Sequence, residues 1–311
     1  MKRYLQVLSA FFCIIALTCF SGCTEKKGKD SNKKEPAKSE TVSANSAITG
    51  FEAQQSSASD EYTADSAGDV SNMKYAGLVT DSFDGFSGNM SYALHLYDSD
   101  YRAANKSESM KSASVIKIFI MEYAYNQVMN EKLDVDTVIG SRKLSSLIES
   151  MITYSDNDST NILIDFFTMD KLNAFFVSQG YNDTVVARRM LDTAAAARGE
   201  ENYTSAADVM KFLDKLYENQ DKYPYNEMLS VMKRQQISTK IRRDMPAGVE
   251  IANKTGELSD TDNDVGIIFT EKGDYAFVCL TNGGVSSVAR DAIAKSCRAI
   301  YDEIMKTENK L

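Results

Sequence analysis

The chain has 311 residues, 43% hydrophobic and 25% charged, with a net charge of −9. That acidic balance argues against nucleic acid as a partner, which needs clustered Lys and Arg, and 5 cysteines are too few for a disulfide scaffold. The single histidine, His95, argues against a His-rich metal site and a Ser-His-Asp hydrolase, leaving Ser, Lys, Asp, Glu, Tyr or Cys to carry any catalysis.

Lys2 and Arg3 are followed by no charge until Glu25, and Tyr4 to Phe20 is mostly apolar. A basic start and a short apolar run read as a secretion signal. A retained membrane helix is the alternative, because the run is near the roughly 20 residues a span needs. The ending Phe20-Ser21-Gly22-Cys23 resembles the lipobox of bacterial lipoproteins, with Phe20 in place of the usual Leu. The resemblance implies cleavage before Cys23, a lipid on Cys23, and an extracytoplasmic protein anchored to the bacterial cell membrane. Cys13 and Cys19 leave with the signal, and the loss of Lys2 and Arg3 takes the net charge to −11.

Residues 24–72 are rich in Ser, Lys, Glu, Asp and Ala, so with Cys23 they read as a lipidated, disordered tether, 23–72. Residues 73–311 remain as one folded unit. Met90–Asp98 alternates as a strand, with Tyr101–Lys106 as its hairpin partner. Ser114–Val128 has helical spacing and is apolar nearly all round, the mark of a buried helix. Leu144–Thr153, Ser159–Thr168, Met169–Gln179, Thr204–Glu218 and Asn226–Gln236 read as further helices, with Thr204 capping its own. Val249–Thr255, Asp264–Thr270 and Tyr275–Thr281 read as strands, Asp262-Asn263-Asp264 as a turn, and Ser286–Lys306 as a terminal helix. First and last strands can share one antiparallel sheet only if the helical middle is inserted between them. The expected fold is therefore α/β (α+β): an antiparallel sheet flanked by helices, an inserted all-α lobe, and a cleft between.

Three short strings carry chemistry. Ser114-Val115-Ile116-Lys117 places a hydroxyl and an amine on one helix face, where a neutral Lys can take the Ser proton. The chain has four such Ser-x-x-Lys strings, the others starting at Ser31, Ser71 and Ser230, but only Ser114 opens an apolar helix. A Lys there needs a reason, since a buried ammonium is costly. Ser155-Asp156-Asn157 lies in a polar break between two helices. It reads either as a turn and helix cap or as a proton relay, Ser155, with an amide, Asn157, for a peptide-like group. Lys254-Thr255-Gly256 ends a strand. It is either an exposed strand end, or a cation, a carboxylate-binding hydroxyl and a close backbone approach, with the Glu257 and Ser114 amides as an oxyanion hole.

Together, in this order, the three strings resemble the S-x-x-K, S-D-N and K-T-G set of class A β-lactamases and penicillin-binding proteins. The resemblance covers about residues 75–305 and extends to Ser112-Ala113, Met151-Ile152-Thr153 and Arg234-Gln235-Gln236. It implies a two-lobed serine hydrolase acylated at Ser114, with Lys117 as base, Ser155 as relay and Lys254 as cation. Asn157, Thr255, Gly256 and Glu257 would bind substrate. It implies no cofactor and no metal, and a monomer acting on a β-lactam or a D-Ala-type peptide of peptidoglycan. The alternatives are a penicillin-binding sensor or decoy without turnover, and a D,D-peptidase.

Two features depart from the family. Its deacylating Glu precedes a Leu-Asn pair by three residues. If Leu191-Asp192 matches that pair, the Glu position falls on Arg188, which stays protonated. Asp192 is then the nearest carboxylate, as base or as a loop-closing acceptor, with Glu200 and Glu201 further off. The 41 residues from Ser114 to Ser155 are also fewer than is typical, which implies a more open cleft. His95 reads as structural. Cys279 and Cys297 read as free core thiols, with a disulfide as the alternative.

Overall fold

The computed structural model describes residues 70–306; the expected signal, Cys23 and nearly all of the tether lie outside them. Helix α1 (Val70–Ser82) begins within the stretch read as tether and leads into strands β1 (Asn89–Leu96), β2 (Tyr101–Ala104) and β3 (Met110–Lys111). A 3-10 turn, Ala113–Ile116, runs directly into α2 (Lys117–Met129). A small hairpin, β4 (Val138–Ile139) and β5 (Arg142–Lys143), precedes α3 (Leu144–Thr153), α4 (Asn157–Phe167) and α5 (Met169–Ser178). Then come α6 (Thr193–Ala197), β6 (Tyr203–Thr204), α7 (Ala206–Glu218) and α8 (Tyr225–Lys233). Strands β7 (Glu250–Leu258), β8 (Thr261–Phe269) and β9 (Tyr275–Asn282) and the long α9 (Ser286–Lys306) close the chain.

The five-stranded sheet runs β2-β1-β9-β8-β7, antiparallel throughout. First and last strands thus meet as expected, and β7 is left as an edge. Strand alternation divides the core into two layers. Tyr92, Leu94, Phe277 and Cys279 face α1 and α9; Ala93, Val278, Leu280 and Val265 face the helical lobe. Helix α2 is the centre of that lobe, with Ile118, Phe119, Ile120 and Met121 fully buried. Such an all-round apolar helix requires neighbours on every side, and α3, α4 and α5 supply three of them. Among the described residues, no helix is long and apolar enough to cross a membrane.

Three local expectations change. The cap of α7 is Ser205, whose side chain accepts from the Asp208 amide; Thr204 lies one residue earlier in β6. Asp262-Asn263-Asp264 is not a turn but the start of β8, because each polar side chain has a partner inside the fold. Asn263 Nδ2 donates to the carbonyls of Lys111 and Ser112, Asp264 accepts from the Ile241 amide, and Asp262 pairs with Arg290. Lys254-Thr255-Gly256 lies within β7, not at its end, since the strand continues to Leu258. His95 is buried between Asp214 (2.7 Å) and Asp100 (3.0 Å), a structural setting, and Cys279 and Cys297 are buried free thiols.

Candidate active site

Ser114 sits in the second position of the 3-10 turn, at the start of the buried helix. The turn is forced by its surroundings. Ala113 has φ 47°, a left-handed conformation rare for a residue with a Cβ. Ser112 is fully buried; its amide and its Oγ both donate to the Asn202 carbonyl, at 2.9 and 3.0 Å. A Cβ on Gly256 would lie 2.8 Å from the Ser112 carbonyl oxygen and 3.2 Å from the Ser114 nitrogen. The close approach that this glycine permits is therefore to the nucleophile's own turn.

Behind Ser114, Lys117 Nζ donates to the Ser155 carbonyl (2.7 Å), Ser155 Oγ (3.2 Å) and Asn157 Oδ1 (2.8 Å). Lys254 Nζ donates to Ser155 Oγ (2.9 Å) and to the Thr255 carbonyl (2.7 Å). Both lysines have no solvent exposure. Ser155 is held between them at φ 57°, while Asp156 caps α4 by accepting from the Ser159 amide. Gln235 ties the preceding turn down by donating to the Ile152 carbonyl. Burial pulls the Lys117 amine down to about 7, against a small opposing pull from Asp156. Burial also pushes Lys254 well below the ordinary lysine range, and the charge of Lys117 adds to the shift. Two ammonium groups on one hydroxyl are thus disfavoured, and the neutral amine that proton abstraction needs is accessible near pH 7.

A cleft of about 540 Å³ opens in front of this group, lined by Ser114, Asn157, Glu257 and the segment after α5. Arg188, itself nearly buried, belongs to the lining. It is not free: Nε and Nη2 form a two-pronged pair with Glu201, at 2.8 and 2.9 Å, and Glu201 also accepts the Asn202 amide. Asp192 lines the same cleft and caps α6 by accepting from the Ala195 amide at 2.9 Å. Asn157 and Glu257 line the cleft; Thr255 is fully buried in β7, off the lining. The Glu257 carboxylate pairs with Lys240 at 2.6 Å.

The chain gives no sign of Lys240 or of the Lys111–Asp260 pair (2.6 Å), and Glu201, read there only as a more distant carboxylate, emerges as the partner of Arg188. Each depends on contacts between residues 13 to 149 positions apart, and no local pattern marks them. Among the described residues, no group of three or more His, Cys, Asp and Glu side chains is placed to hold a metal ion.

The model of the beta-lactamase enzyme family matches residues 78–304. No curated protein matches the chain. Solved structures with the same fold include a β-lactamase from Sphaerobacter thermophilus, 22% identical, with a TM-score of 0.66, covering 77% of this chain and 99% of that one. A β-lactamase from Chitinophaga pinensis is 17% identical, with a TM-score of 0.68, over 74% of this chain and 99% of its own. A mutant of PBP-A, in an acyl-enzyme complex with penicillin G, is 20% identical, with a TM-score of 0.68, over 76% and 98%. At these identities the neighbours establish the fold. With the family match over most of the folded unit, the chain belongs to the beta-lactamase enzyme family of serine hydrolases.

Proposed function

We propose that the protein opens a strained or peptide-like amide by acylating Ser114, with a β-lactam or a D-Ala-type peptide as substrate. Lys117 in its neutral form, which keeps two of its three hydrogen bonds and frees a lone pair, takes the Ser114 proton as Oγ attacks the carbonyl. The amides of Ser114 and Glu257 hold the oxyanion. Ser155 passes a proton to the leaving nitrogen as the C–N bond breaks, and Lys254 replenishes the relay. Water then releases the acyl group. The observation that carries this reading is the pair of buried lysines meeting on Ser155 Oγ, one of them a single turn along the chain from Ser114. Purified protein mixed with a chromogenic β-lactam, followed by turnover and intact mass, tests it. An adduct that Ser114→Ala lacks is expected; no adduct on the intact protein overturns the reading.

A second reading, a penicillin-binding protein acylated with little turnover, is favoured by the Arg188–Glu201 pair. It ties up a carboxylate of the cleft lining. Multiple turnovers exclude that reading; a persistent single adduct supports it. We also propose export and anchoring through a lipid on Cys23. Cys23→Ser is expected to move the protein from the membrane fraction to the soluble one.

A further inference from the structure

Glu257 puts a carboxylate beside the hydroxyl expected to receive one. Thr255, that hydroxyl, is fully buried and off the cleft lining. Two positions along the edge strand, and so on the same face of β7, Glu257 does line the cleft. Its side chain is 38% exposed, open to what enters. The carboxylate is held from three sides: Lys240 Nζ donates at 2.6 Å, Thr239 Oγ1 at 3.2 Å and Arg290 Nη2 at 3.4 Å. Burial opposes ionisation, yet the hydrogen bond and charge of Lys240, with the charge of Arg290, hold this carboxyl below the ordinary carboxylate range. Asp262, directly across the ladder from Glu257, engages both cations as well, with Arg290 Nε at 2.6 Å and Lys240 Nζ at 3.7 Å. Two cations thus face two carboxylates, and neither is spare. The cations of the cleft lining, Lys111 and Arg188, are likewise paired, with Asp260 and Glu201.

A free carboxylate on the leaving side of a bound amide would meet this face as a like charge, with no unpaired cation to receive it. Like charges set side by side are how a site rejects a wrong ligand. We propose that Glu257 is a specificity-determining residue: its carboxylate occupies Lys240 and Arg290 in place of a substrate carboxylate, and so selects an amide whose leaving group is neutral or cationic. The inference rests on acylation at Ser114. It narrows the substrate class to amides whose leaving amine has its carboxyl group blocked or absent.

The test compares two probes on the intact protein: benzylpenicillin as the free acid, and its neutral methyl ester. Second-order acylation rates are read by intact mass. Each is divided by the probe's own alkaline hydrolysis rate, which removes differences in reactivity. The normalised rate is expected to be about tenfold higher for the ester than for the acid, as for one like-charge contact, and added salt narrows the gap. Glu257→Gln frees Lys240 and Arg290 and is expected to raise the acid-to-ester ratio about tenfold. Glu257→Asp keeps the charge and keeps the order. A residue that merely braced β7 would change both rates together and leave their ratio unmoved. An acid as fast as its ester on the unmutated protein, a gap that salt does not narrow, or an unmoved ratio in folded Glu257→Gln overturns the inference and leaves acylation standing. If Glu257→Gln does not fold, the order and its salt dependence on the unmutated protein decide alone. Absence of any adduct from either probe overturns the acylation reading, and this inference with it.

Discussion

Lys117 Nζ and Lys254 Nζ donate to one oxygen, Ser155 Oγ, at 3.2 and 2.9 Å. A hydroxyl has two lone pairs and one proton. With both lone pairs engaged by amines, its proton is left to point elsewhere, and the leaving nitrogen of a bound amide is a natural acceptor. Delivery of a proton to the leaving nitrogen can then run through this one side chain, which suits a site without a histidine.

The acylation rate should rise with pH around neutrality. Burial depresses Lys117 to about 7, so its neutral, base-competent fraction grows as pH increases through that value. Rapid-mixing rates between pH 5 and 9 check this. A flat profile removes Lys117 as the titrating base.

Ser155→Ala takes away the oxygen that both amines share. A positioned acid–base group contributes about 10²–10⁴-fold. Acylation should fall by about that factor while circular dichroism stays native, because the Ser155 carbonyl and Asn157 still hold Lys117.

Gly256→Ala should impair folding and acylation together. The added methyl meets the Ser112 carbonyl at 2.8 Å, and backbone on both sides cannot yield as a flexible side chain does. Overpacking of this kind costs about 1–3 kcal/mol. Chemical denaturation and adduct formation, measured on one preparation, decide it.

Arg188 and Glu201 should behave as a unit. Both are largely buried, at 6% and 11% side-chain exposure. Glu201→Gln leaves a guanidinium without its charge partner and should destabilise by about 3–5 kcal/mol. Arg188→Ala frees a carboxylate in the cleft and should shorten the lifetime of the acyl adduct, read by intact mass after removal of excess β-lactam. Asp192→Asn provides the comparison: unchanged adduct lifetime shows that Asp192 acts as a helix cap and not as the base.

Much of this site is legible in the chain because its chemistry is local. Ser114 and Lys117 are linked by one helical turn, and Ser155 to Asn157 by a single break between helices. Leu144–Thr153 and Ser286–Lys306 agree with α3 and α9 to the residue, since strong periodicity bounded by polar breaks has one solution. Sequence reasoning failed where a polar residue finds a distant partner. Asp262, Asn263 and Asp264 have the composition of a turn, yet β8 accepts them because Arg290, Lys111, Ser112 and Ile241 satisfy them.

Composition and element order alone therefore determined an antiparallel sheet with an inserted helical lobe, and the three strings, through the family they resemble, pointed to a serine–lysine site without histidine. Only the tertiary structure decided that both lysines reach one hydroxyl, that Gly256 serves the nucleophile's turn, and that Arg188 is neutralised by Glu201. The reason is physical. Secondary structure follows from neighbours a few positions apart, whereas a buried charge is tolerable only beside partners that the fold itself brings near.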